Sequence, residues 1–271
     1  MSARALSWRI TPPIFHGRGS VRYVLERNVL VYRRIWLVIF SGFIETLVYL
    51  FAVRLGIGGL VDEGIPLESG VTVDYATYVA PALLAAAAMN GAVFESTMNI
   101  YFKLKFDRTY DAMLATPMQP FDIALGEIAW SQIRGSIYAV GYLIVLLIMG
   151  LVESPWSALA LPAAILVGFA FGAAGMASTT YMRSWQDFEF VNLAVLVLFL
   201  FSATFYPLNV YPDWLQVVAH LSPLYHGVAL IRGLMLGDVG FYLLGHVVFL
   251  GAMGVAGLAV ANRRLVTLLT P

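Results

Sequence analysis

The chain has 271 residues, 60% of them hydrophobic and only 12% charged, where an ordinary soluble domain carries roughly 45–50% and about 25%. That excess excludes a single soluble core, and apolar runs of about 18 residues or more, long enough for the roughly 30 Å hydrocarbon layer of a bilayer, recur from Ile35 onward. Net charge is zero but sixteen basic and sixteen acidic side chains are segregated along the chain, and the absence of cysteine excludes disulfides and thiolate metal sites.

Residues 1–34 carry Arg4, Arg9, Arg18, Arg22, Arg27, Arg33 and Arg34 against one acid, Glu26, which places this segment in the cytoplasm under the positive-inside rule. It has no apolar run followed by a small-residue cleavage site, so the first span is expected to stay uncut. Val21, Leu25, Val29, Tyr32 and Trp36 recur at helical spacing, predicting an amphipathic helix in the membrane interface. Span one covers residues 35 to about 53. The loop 56–74 holds Asp62, Glu63, Glu68 and Asp74 without Lys or Arg and belongs outside.

Span two runs from about 75 to 98, and a cytoplasmic loop follows with Lys103, Lys105, Asp107, Arg108 and Asp111. Span three, about 123–151, is polar in its first half. The turn Glu153-Ser154-Pro155 leads back through span four, about 156–181, to a cytoplasmic loop 182–189 with Arg183, Asp187 and Glu189. Span five is about 190–206. Pro207, Pro212 and Pro223 then break the chain into apolar pieces, 214–221 and 224–236, too short to cross and read as external re-entrant or interfacial helices. Span six, about 241–261, ends at Arg263-Arg264, so both termini are cytoplasmic. The expected fold is all-α and membrane-embedded: a basic segment 1–34, six spans in 35–262 and a short tail 263–271. Ala164, Gly168 and Gly172, and Gly251, Gly254 and Gly257, read as seams where helices approach closely.

The phosphate cradle G-x-x-x-x-G-K-S/T is missing, and Lys103 and Lys105 follow no glycine-rich loop. There is no G-x-S-x-G, and His16, His220, His226 and His246 lack H-E-x-x-H spacing; His220 and His226 read as interfacial hydrogen-bonding groups. Ionisable residues inside spans are costly and mark function or packing, which singles out Glu45, Glu95, Glu127 and Arg134. At the helical rise, Glu45 and Arg134 both lie roughly 15 Å deep, so they are expected to pair and fix helix packing. Glu127, Ser131, Arg134 and Tyr138 share one face of span three, which must point at protein or water.

Two motifs carry a family resemblance. The loop Lys105-Phe106-Asp107-Arg108-Thr109-Tyr110-Asp111-Ala112-Met113-Leu114-Ala115-Thr116-Pro117 resembles a hallmark of the ABC-2 type exporter permeases. Phe205-Tyr206-Pro207-Leu208, Pro212-Asp213-Trp214-Leu215-Gln216, Leu221-Ser222-Pro223-Leu224-Tyr225-His226 and Ile231-Arg232-Gly233 are similar to that family's external re-entrant region. The Tyr110–Pro117 run is most similar to the branch of nodulation lipo-oligosaccharide and anthracycline exporters. The resemblance implies a bacterial inner-membrane exporter of an amphiphile: a lipid-linked saccharide, a lipid or a lipophilic drug. It also implies a dimer with a second permease copy or homologue, driven by a separate ABC ATPase that holds ATP and Mg. On this chain it implies no cofactor, metal, catalytic residue or nucleic-acid partner.

By the same resemblance the first cytoplasmic loop is a coupling helix, with Phe106, Asp107, Arg108, Thr109, Tyr110, Asp111, Leu114, Thr116 and Pro117 facing the ATPase and Arg183 and Asp187 in the second loop. A substrate path lined by spans one, two and five points to Phe40, Tyr49, Phe199, Phe201 and Phe205, although aromatics facing lipid would give the same composition. Helical spacing alone gives the coupling loop a mixed-charge face, Asp107, Arg108 and Asp111, and an apolar one, Phe106, Tyr110 and Leu114. Such a helix docks on a soluble partner or lies on the headgroups. The competing class is a membrane-embedded enzyme acting on a lipid or glycan carrier around Glu45, Glu127 and Arg134.

Overall fold

The computed structural model describes residues 21–33, 44, 46–57, 64–66, 72–152 and 154–269. It is helical apart from a two-residue ladder, Ile65–Pro66 against Thr72–Val73. In chain order the helices are α1 (Val21–Tyr32), α2 (Thr46–Gly56), α3 (Tyr75–Lys105), α4 (Thr109–Leu114) and α5 (Pro120–Ile148). Then come α6 (Pro155–Thr179), α7 (Asp187–Phe201), α8 (Asp213–Leu221), α9 (Pro223–Leu236) and α10 (Tyr242–Leu269). Among the described residues α3, α5, α6 and α10 are long and apolar enough to cross a bilayer.

Each long helix starts where local chemistry directs. Asp74 accepts the Ala76 N–H (3.1 Å) at the head of α3, and Pro120 opens α5 beneath a reciprocal cap in which Asp122 accepts the Gln119 N–H (3.0 Å). Pro223 opens α9, and Gly237, at φ 84°, closes it in the left-handed conformation that favours glycine. The two proline-bounded pieces thus form separate helices, as expected.

α6 sits at the centre, packed against α3, α5, α9 and α10. Small residues make this possible: Gly168 and Gly172 admit Gln132 and Ser131 of α5, while Gly254 and Gly257 of α10 lie on Phe169 and the Ala173 backbone. The first part of α3, residues 75–86, is wholly buried and alanine-rich.

Three expectations change. Span two does not stop at Met98; it continues as one helix to Lys105 through a π-helical turn, Glu95–Asn99. Ser96 and Thr97 hydroxyls donate to the Val93 carbonyl (3.3 and 2.7 Å), which the widened turn leaves available. α1 forms, but its inward stripe is Val24, Asn28 and Tyr32, whereas Val29, expected on the apolar face, is exposed with Tyr23, Leu30 and Val31. Trp36 lies outside the described residues. α10 carries on past Arg263 and Arg264 to Leu269.

Candidate functional site

The crossing of α1 over α5 is set by Gly126, where a Cβ would stand 2.6 Å from that of Val24. This contact lowers Asn28 and Tyr32 into the bundle. Asn28 donates to Glu127 (3.1 Å) and accepts from Lys103 (3.1 Å), and Lys103 pairs with Glu127 at 2.7 Å. One helical turn on, Tyr32 donates to Glu95 (3.0 Å) and accepts from Arg134 (3.0 Å), and Arg134 is ion-paired with Glu95. Asn99 donates to Glu95 as well (2.6 Å). Both pairs are buried, where a charge is tolerable only if matched and hydrogen-bonded.

Among the described residues the carboxylate that meets Arg134 is Glu95; Glu45, its expected partner, lies outside the described residues. The expected face of span three holds: Glu127, Ser131 and Arg134 are buried, and Arg134 donates to the Tyr138 hydroxyl (3.0 Å). Lys103 and Asn28 were missed. Lys103 was assigned to a loop, yet no glycine or proline stands between Gly91 and Pro117 to end the helix that carries it inward. Asn28, one polar residue in a basic segment, carries no sequence signal of its own.

Beneath this network the turn 105–117 divides its residues. Arg108 adopts a left-handed conformation, φ 45°, and reorients the chain into α4. Phe106, Asp107, Arg108, Asp111, Thr116 and Pro117 are exposed and Leu114 is half-buried. Tyr110, by contrast, is fully buried in this chain's own core with Ile123, Ile128, Met176 and Leu265. The expected face of Phe106, Tyr110 and Leu114 is thus split, because Phe106 precedes the helix and lies across the turn from Tyr110. Burial, then the neighbouring Glu127 carboxylate, pushes the Tyr110 phenol well above its ordinary range. Arg27 donates to Thr109 (3.4 Å), linking α1 to α4.

In the second loop Asp187 accepts the N–H groups of Arg183 (2.6 Å) and Ser184 (3.1 Å), which hold its carboxyl below the usual range. Its role in the fold is to shape the loop. Trp185 packs on Phe102 (ring centroids 5.3 Å), which packs on Phe106 (5.4 Å), so the two loops share one aromatic cluster.

A cavity of about 510 Å³ lies between α2, α3, α5 and α7. Its aromatic wall includes Tyr49, Phe94, Phe188 and Phe199; its polar wall includes Thr46, Asn90, Arg134, Tyr138 and Asn192. Tyr49 and Phe199 approach to 5.8 Å, and Phe205 stands edge-on to Phe199 at 5.1 Å. Phe201 is exposed and does not line the cavity, and Phe40 lies outside the described residues. At the far end His226 and His246 share a hydrogen bond (2.7 Å), and His226 bonds the His220 carbonyl oxygen (3.1 Å).

The family model for the ABC-2 type transporter matches residues 19–236. The chain belongs to the ABC-2 type transporter family. This ABC-2 permease is 33% identical to nodulation protein J of Rhizobium leguminosarum bv. trifolii, covering 81% of this chain and 83% of that protein. It is 32% identical to nodulation protein J of Rhizobium meliloti over 79% and 80%. To the inner membrane transport permease YadH of Escherichia coli it is 23% identical over 82% and 83%. The ABC-2 permease is an integral membrane transport component, and its apolar helices agree with that placement.

Proposed function

We propose that this permease is the membrane subunit of an ATP-driven exporter that moves an amphiphile outward through the α2–α3–α5–α7 cavity. Six segments cross the bilayer: the one ending in α2, then α3, α5, α6, α7 and α10, with both termini in the cytoplasm of a bacterial inner membrane. The chain has no phosphate cradle, so free energy enters from a separate ABC ATPase seated on the exposed turn 105–117. A second permease copy or homologue completes the path beside α7, of whose residues Phe188 alone is buried.

One observation carries this reading. The exposed turn is physically continuous with the cavity, from Tyr110 beside Glu127, through Lys103 and Asn28 to Tyr32 and Glu95, and on to Arg134 in the cavity wall. A displacement of the turn has a packed polar route to the cargo site. Of the competing enzyme reading's polar centre, Glu127 is ion-paired with Lys103 and Arg134 with Glu95, and Glu45 lies outside the described residues.

The test is reconstitution in vesicles with the cognate ATPase. Phe106→Ala and Asp111→Lys are expected to weaken ATPase binding and cargo movement, since truncating a central anchor commonly costs about 2 kcal/mol or more. Binding and transport like the parent in both variants would remove the turn as the coupling surface, and a parent that binds no ATPase would remove the exporter reading.

A further inference from the structure

The cavity's polar wall is not a generic wet surface. Among the described residues its one ionised group is Arg134, and that charge is already matched by Glu95. Arg134 also fixes the hydrogen-bond sense of its neighbour: a guanidinium has donors and no acceptor, so the Tyr138 hydroxyl accepts from it (3.0 Å) and keeps its own proton to give. Tyr138 rests against Gly91, where a Cβ would stand 3.7 Å from the Tyr138 Cδ2. The residue before that glycine is Asn90, whose carbonyl oxygen is buried in the cavity wall with no hydrogen-bond partner. A buried acceptor left unpaired is costly, and a turn of the terminal amide, whose torsion is soft, offers it to a donor arriving in the cavity. The Tyr138 hydroxyl thus offers a donor and the Asn90 amide an acceptor in one cavity wall, which Phe94 and Phe199 also line.

We propose that Asn90 and Tyr138 select the cargo by requiring an uncharged group that both donates and accepts, a hydroxyl or a secondary amide, joined to an apolar tail. This rests on the reading of the cavity as the cargo path. A phosphate head brings its own negative charge to a wall whose one guanidinium is already matched by Glu95, and an unmatched buried charge is costly. A quaternary ammonium head neither donates nor accepts, and it meets a guanidinium in the same wall.

The test measures binding of three labelled probes with one tail, dodecyl glucoside, dodecyl phosphate and dodecyltrimethylammonium, to the full-length permease in lipid nanodiscs. The glucoside is expected to bind at least tenfold more tightly than the other two. Asn90→Leu removes the acceptor at similar size, and Tyr138→Phe removes the donor and keeps the ring; each is expected to weaken the glucoside about three- to tenfold and leave the trimethylammonium probe unchanged. A merely structural role would shift all probes alike and overturn the proposal, as would charged probes binding like the glucoside, or a glucoside indifferent to both variants. In those cases weaker binding of every probe by Phe199→Ala would leave the cargo path standing. Failure of the parent to bind any probe overturns the cargo path and the selection together. If Asn90→Leu does not fold, Tyr138→Phe decides alone.

Discussion

Arg134 lies in an apolar helix and in the wall of a cavity, and it stays charged there because Glu95, Tyr32 and Tyr138 all attend it. Removing one member of such a buried pair strands the other and costs about 3–5 kcal/mol, whereas replacing both is often near neutral. Glu95→Leu and Arg134→Met are therefore expected to lower the unfolding temperature of the purified permease strongly when made singly and far less when combined. Equal, additive losses would show that the two side chains do not interact. Tyr110 belongs to the same scale. Its ring is fully enclosed, so Tyr110→Ala is expected to cost about 3–5 kcal/mol, as for other large aromatics cut from a core, and to lower the unfolding temperature before any partner is added. Phe106→Ala, at an exposed ring, is expected to leave that temperature unchanged. That Glu95, Glu127 and Arg134 matter was legible in the sequence, because ionised groups in apolar runs need a reason. Which of them pair was not, since it depends on how the helices are rotated against one another.

At the scale of elements, the π-helical turn Glu95–Asn99 decides the most. It widens α3 by a residue, shifts the face that follows, and lets Glu95 point at Arg134 and Lys103 at Glu127 from one helix. Hydropathy identified α3 as a span but cannot register such a turn, nor the continuation to Lys105, because a buried lysine looks like a loop residue until its carboxylate is found. α1 offers the complementary lesson. Helical spacing announced it, yet its buried stripe follows Val24, Asn28 and Tyr32, polar partners included, because the close approach at Gly126 fixes its rotation. Gly126→Leu would overfill that crossing, a change that typically costs about 1–3 kcal/mol. It is expected to lift α1 from α5, seen as faster tryptic cleavage at Arg27 with the long helices still protected. Unchanged protection would show that the Val24 contact is not what seats α1.

For the whole molecule the expected orientation has a direct measurement. Because the chain contains no cysteine, single cysteines at Asp62 and Asp111 report their own side of the membrane. An impermeant thiol reagent on intact cells is expected to label Asp62→Cys and spare Asp111→Cys; the reverse would invert the topology. The sequence by itself determined the membrane class, the order of the long apolar helices among the described residues, and the break into two shorter helices at Pro212 and Pro223, because chain-local hydropathy, helix period and proline chemistry act within a few turns. The motif at 105–117 likewise pointed to the family. Tertiary structure alone decided that Tyr110 faces inward, that Lys103 and Asn28 complete the charge network, and that Asn90 and Tyr138 line one cavity. Those outcomes depend on helix rotation, tilt and close approach at particular glycines, which are set by contacts between segments far apart in the chain and leave no periodic trace in any one of them.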